Sequence, residues 1–115
     1  MAEIAYTKPE KGAYHQTFKW TGVTEADTFA PVRLERPINA YTIQVSGTFG
    51  GSTVALHGSL DASTFAAMKD ANGVAIGLTA AGLATGGTLV LSLKPVASGG
   101  SSASLTVTLM VGYLP

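Results

Sequence analysis

Residues 104–113, SLTVTLMVGY, decide the fold. Leu105, Val107, Leu109, Val111 and Tyr113 alternate with Ser104, Thr106, Thr108 and Gly112. A period of two gathers the apolar side chains on one face of a β-strand and scatters them around a helix. Working outward, Tyr41, Ile43 and Val45 alternate with Thr42, Gln44 and Ser46 in the same way. Val54, Leu56 and Leu60 oppose Thr53, His57 and Ser59, and Leu89, Leu91 and Leu93 repeat the pattern. Weaker runs cover 16–20, 28–34, 64–69 and 74–78, giving about eight short strands.

The punctuation agrees with the strands. Gly50-Gly51, Asp61-Ala62-Ser63, Asp70-Ala71-Asn72-Gly73, Gly86-Gly87 and the Ser98–Ser102 stretch are turn chemistry at the spacing of a sandwich. Glycine supplies the positive φ that tight hairpins need, and Asn-Gly is the strongest of these cues. The expected fold is therefore all-β, a two-sheet antiparallel sandwich of jelly-roll or immunoglobulin-like type. Residues 79–84 are the one place where a helical turn is expected, kept short by Gly82. Residues 1–13, with Pro9 and mixed charges, read as an extended arm outside the core that orders against a partner, and 14–115 as the sandwich domain.

A chain of 115 residues has room for one such domain. Seven Lys and Arg balance seven Asp and Glu, so no net field draws it to nucleic acid or an anionic membrane. There is no cysteine, which removes disulfides, thiolate zinc sites and cysteine nucleophiles. The opening MAEIAYTKPEKGAYHQ lacks the pattern of a signal peptide, and no apolar run is long enough to span a bilayer. The chain is expected to be made in the cytoplasm of its cell. Its charges are placed unevenly: ten of the fourteen fall in residues 1–36, and Lys94 is the only one after Asp70. Surface without charge is surface suited to being covered, or to a skin of Ser, Thr and Gly.

Candidate catalytic, metal and sugar sites are all present as residue types. His57, Ser59 and Asp61 carry the residue types of a catalytic triad. On a strand, however, residues i and i+2 stand parallel about 7 Å apart, whereas a working serine and imidazole must meet within about 3 Å. Gly58-Ser59-Leu60-Asp61 reads instead as a strand end closing into an Asx-type turn. The Asp70-Ala71-Asn72-Gly73 run begins like a calcium loop, but Val74–Leu78 offers none of the later carboxylates. Glu25 and Asp27 have no third carboxylate nearby, and His15 with His57 cannot fill a zinc site, so neither metal nor cofactor is expected. Phe18, Trp20, Phe29, Phe49 and Phe65 invite a sugar-stacking reading, yet a small sandwich needs about that many aromatic side chains for its core. No phosphate-cradling GxxxxGK[ST] or GxGxxG motif occurs.

The order of phrases along the chain resembles that of small structural proteins of tailed-bacteriophage virions. It is carried by Trp20-Thr21-Gly22-Val23, by Ala26–Val32, by Val45–Val54, by Leu56-His57-Gly58-Ser59-Leu60-Asp61 followed by Phe65, and by Lys69-Asp70-Ala71-Asn72-Gly73. Leu78–Leu83, Lys94–Gly100 and Ser104–Leu109 complete it, so the similarity covers residues 18–110. Two departures stand out: Leu60 and Ala62 interrupt what is usually a Gly-Ser-Asn-Asp-Gly stretch, and Lys94 replaces an arginine before the late proline. The resemblance implies a head decoration or cement protein, a non-enzymatic β-sandwich homo-oligomer, dimer or trimer, bound to the major capsid protein on the virion exterior. On that reading Glu3, Lys8, Glu10 and Lys11 anchor the arm to the shell, and the charge-poor C-terminal strand, at Leu105, Val107 and Met110, supplies self-association. The rival is a carbohydrate-binding or receptor-attachment module of a phage tail, fibre or baseplate.

Overall fold

The structure, a computed structural model, describes residues 3–9, 11–34, 38–61, 63–87 and 90–113. The predicted arm residue Glu10 and the predicted strand residue Leu89 lie outside them. Among the described residues, six strands of five or more residues build the frame: β2 (His15–Val23), β5 (Ile38–Thr48), β6 (Thr53–Ser59), β9 (Gly82–Gly86), β10 (Ser92–Ser98) and β11 (Ser104–Tyr113). Five two-residue strands fill in around them: β1 (Glu3–Ile4), β3 (Thr28–Phe29), β4 (Val32–Arg33), β7 (Ala66–Ala67) and β8 (Gly77–Leu78).

One sheet runs β2-β11-β5-β9 and the other β4-β10-β6-β7, with β8 also paired to β6; all these pairs are antiparallel. The fold is thus an all-β sandwich. Odd-numbered residues of β11 face inward: Leu105, Val107, Leu109 and Val111 have no exposed surface, and they meet Leu56 and Leu93 of the other sheet in one continuous core. Leu105 and Val107 therefore cannot form a self-association surface. A strand's parity commits alternate side chains to opposite faces, and of the three proposed positions Met110 alone, 43% exposed, points out.

The aromatic side chains sit where the sheets need volume. Phe18, Trp20 and Phe29 are buried, and Trp20 and Phe29 meet edge to face at 5.7 Å. The indole N–H of Trp20 donates to the carbonyl of Ala30 at 3.2 Å, so its one polar atom is satisfied. The Tyr113 hydroxyl donates to Gln16 Oε1, joining the last strand to β2 inside the core. Opposite Thr106, β2 carries one extra residue at Thr21-Gly22, a bulge that Gly22 accommodates with φ of 70°.

The N-terminal segment folds back instead of standing free. Thr7 exchanges backbone hydrogen bonds with Lys19 at 2.8 and 2.9 Å, Lys11 bridges Gln16, and Ile4 accepts the N–H of Ala30. Tyr6 packs edge-on against both Phe18 and Trp20. Residues 3–9 and Lys11 thus run beside β2 and β3 and, through Tyr6, close one side of the core, a place that mixed charge and Pro9 did not reveal.

Two further expectations change. Residues 79–84 contain no helical turn: Gly82 and Leu83 already belong to β9, which pairs with β5. The 28–34 run splits, because Pro31 lacks an N–H for either ladder; β3 joins β1, and β4 joins β10. Pro95 is tolerated inside β10 for a related reason: β4 reaches only Ser92 and Leu93, leaving β10 an unladdered edge at Pro95.

Candidate functional site

The triad candidates lie at the end of β6. His57 and Ser59 point to the outer face of their sheet, His57 opposite Lys94 and Ser59 opposite Ser92. The Ser59 hydroxyl donates to Asp61 Oδ1 at 2.8 Å, and the same carboxylate oxygen accepts the N–H groups of Ser63 and Thr64 at 3.0 and 2.9 Å. These bonds, with that of Thr64 foremost, hold the Asp61 carboxyl well below the usual carboxylate range. The order is that of an Asx-type turn. In a nucleophilic relay the serine donates to imidazole and the imidazole to the carboxylate, whereas here serine and carboxylate are tied directly and His57 faces Lys94.

Burial first, and then the ammonium of Lys94, push His57 below its ordinary value. Lys94 Nζ lies 4.5 Å from the centroid of the half-buried Phe65 ring. His57, Lys94 and Phe65 therefore form a small cationic and aromatic group on the outer face of the β4-β10-β6-β7 sheet. Beside it, Gly58, Ser59, Asp61, Thr64, Met68 and Val90 border an open hollow of about 420 Å³. This group is what remains of the sugar-stacking reading, since Phe18, Trp20 and Phe29 are core and Phe49 is half-buried against it.

The calcium-like run is a hairpin turn. Asp70 Oδ1 accepts the N–H groups of Asn72 and Val74 at 2.9 and 3.0 Å, and Gly73 supplies φ of 79°. Asp27 is engaged by the N–H and hydroxyl of Thr24, and Glu25 Oε1 accepts the N–H of Ala103 at 2.8 Å. Both carboxylates fasten loops. Among the described residues no three His, Asp or Glu side chains gather as a metal site.

The outer face of the β2-β11-β5-β9 sheet is of another kind. Ladder register sets Thr17, Met110, Thr42 and Thr85 in one row and Lys19, Thr108, Gln44 and Leu83 in the next. The Thr42 and Thr85 hydroxyls meet at 2.9 Å. Thr17, Thr42, Gln44, Leu83, Thr108 and Met110 border a hollow of about 200 Å³. The Thr17 hydroxyl is buried, and among the described residues nothing hydrogen-bonds to it. Composition flagged the missing charge, but only the register shows that this face gathers it.

At one end of the sandwich two glycine-rich tips interlock. Ser52 Oγ donates to the Gly99 carbonyl at 2.8 Å, and the Ser101 N–H donates to that of Gly50 at 2.9 Å. A Cβ on Gly100 would stand 2.5 Å from the backbone nitrogen of Ser52. The remaining anchor candidates, Glu3, Lys8 and Lys11, are exposed along the folded-back N-terminal segment.

Neither a protein-family model nor a curated protein matches the chain. Solved structures do. The SPBc2 prophage-derived protein YomS superposes with a TM-score of 0.61 at 9% identity, over 89% of this chain and 97% of that one. The PBSX exported protein XepA gives 0.62 at 14% identity over 89% of this chain, which spans only 39% of XepA. A cupin domain from Bordetella pertussis Tohama I gives 0.52 at 13% identity, over 96% of this chain and 94% of that one. At these identities the likeness is one of fold, and the cupin places the sandwich among jelly-roll-like architectures.

Proposed function

We propose that the chain is a non-catalytic structural protein of a phage virion that binds the outside of the capsid shell and stiffens it. The observation that carries this reading is the character of the surface. One sheet bears a broad outer face with Lys19 as its one charged side chain, while exposed Glu3, Lys8 and Lys11 lie on the N-terminal segment. Area without a deep cleft suits a part that works by contact. The sequence phrases resembling tailed-phage virion proteins support it, as does the shared fold of a prophage-derived protein. On this reading the partner is the major capsid protein, and the charged segment faces it.

Shells prepared without the protein are expected to rupture at a lower temperature than decorated ones, and added protein restores them. Equal rupture temperatures count decisively against the proposal. Truncating the N-terminal segment is a poor probe of docking, because Tyr6 belongs to the aromatic cluster. Lys8→Glu with Lys11→Glu alters charge without removing that packing, and the double variant should bind shells more weakly at low salt.

The second reading is a carbohydrate-binding module of a tail, fibre or baseplate, and the Phe65 and His57 group favours it. Against it, the Lys94 ammonium already covers the Phe65 ring that a sugar would stack on. Retention of the isolated protein on a glycan array, lost in Phe65→Ala, would move the assignment there.

A further inference from the structure

Strands β2, β5, β9 and β11 contain one charged side chain between them, Lys19, and it lies on the edge strand β2. The opposite sheet carries Arg33 and Lys94 on its strands and Asp61 at the end of β6. We infer that the outer face of the β2-β11-β5-β9 sheet docks against the same face of a second copy of this chain, related by a two-fold axis. The inference goes beyond the capsid reading and does not rest on it.

Charge selects the occupant. In a two-fold contact each patch meets its own duplicate, so a face rich in one sign repels itself and a neutral face does not. A charged partner, by contrast, would have to give up hydration against a surface that returns almost nothing. The face also carries the apolar groups that such a contact buries. Leu83 is 64% exposed and Met110 43%, at the border of the hollow of about 200 Å³ with Thr17, Thr42, Gln44 and Thr108. In the inferred dimer the Leu83 side chain of the second copy lies over this open hollow against Met110, and the two-fold axis makes the exchange mutual. The size is near what such a contact needs. Three strands about 4.8 Å apart over eight rises of about 3.4 Å, with the five-residue β9 beside them, span about 450 Å². Two such faces come to about 900 Å², close to the roughly 1,000 Å² expected of a specific interface.

The test is sedimentation velocity on the isolated, full-length protein from about 1 to about 100 µM, with circular dichroism and melting temperature as checks of folding. The wild type is expected to be a dimer. Leu83→Lys and Thr108→Lys, each placing an unpaired ammonium on the face without touching the core, should weaken association at least about a hundredfold and leave the fold intact. Val96→Lys, on the outer face of the other sheet, should remain dimeric. A wild type that is monomeric throughout overturns the inference, as does a trimer, which a self-facing patch cannot close. So does a dimer that survives both lysine variants. Binding of Leu83→Lys to shells is measured separately, so loss of the dimer and loss of the capsid reading are distinguishable.

Discussion

At the scale of single residues, His57 shows how position sets chemistry. Its imidazole is half-buried and faces Lys94, and both effects disfavour the charged form. Its folded value therefore lies below the 6.5 of the free side chain. Between the two values the unfolded chain binds more protons than the folded one, so stability rises with pH there. The contribution is fully present above 6.5 and is lost as pH falls toward the folded value. A proton NMR titration of the imidazole should give a midpoint below 6.5, and Lys94→Gln should move it upward. A midpoint at or above 6.5 in the wild type would contradict the contact. Residue types alone suggested a triad. The turn in which Ser59 donates to Asp61 is local and was legible in Gly58-Ser59-Leu60-Asp61, whereas His57 facing Lys94 depends on the ladder register that sets β10 against β6.

Among the elements, the N-terminal segment has the most consequence. Its backbone closes onto β2 and β3, and Tyr6 makes edge-to-face contacts with Phe18 at 5.4 Å and Trp20 at 5.7 Å. Such pairs contribute about 0.5–1.5 kcal/mol each beyond the area they bury. Tyr6→Ala should therefore cost about 2 kcal/mol, lowering the melting temperature by about 10 °C in thermal unfolding. An unchanged melting temperature would mean that the segment is not part of the folded unit. Nothing in residues 1–13 announced this packing, because a lone tyrosine among charges has no periodicity to read. Strands 41–46 and 104–113 were legible for the opposite reason, as each repeats its pattern over several pairs. Residues 79–84 misled because small residues suit a helical turn in isolation, while pairing with β5 decides for a strand.

For the whole molecule, topology governs how the fold is reached. The central strand β11 lies between β2 and β5, and its pairing of Gly112 with His15 joins the two ends of the chain. Contacts this distant in sequence cost loop-closure entropy before any burial rewards them, so all-β sandwiches fold slowly. Refolding followed by stopped-flow tryptophan fluorescence of buried Trp20 should take about milliseconds to seconds. Microsecond folding would show that the native pairing is not what limits the rate. The same topology gives the molecule its two unlike outer faces, one nearly free of charge and one carrying Arg33, His57 and Lys94.

By itself, the sequence determined that this chain is a β-sandwich with one apolar side per strand, since alternation and turn chemistry are local properties written residue by residue. It also determined that charge would be scarce after Asp70. Only the tertiary structure decided which strands are neighbours, and hence that Tyr6 closes the aromatic cluster and that the neutral residues of four separate strands share one face. Register and strand order come from long-range packing, and no window of sequence contains both partners of such a pair.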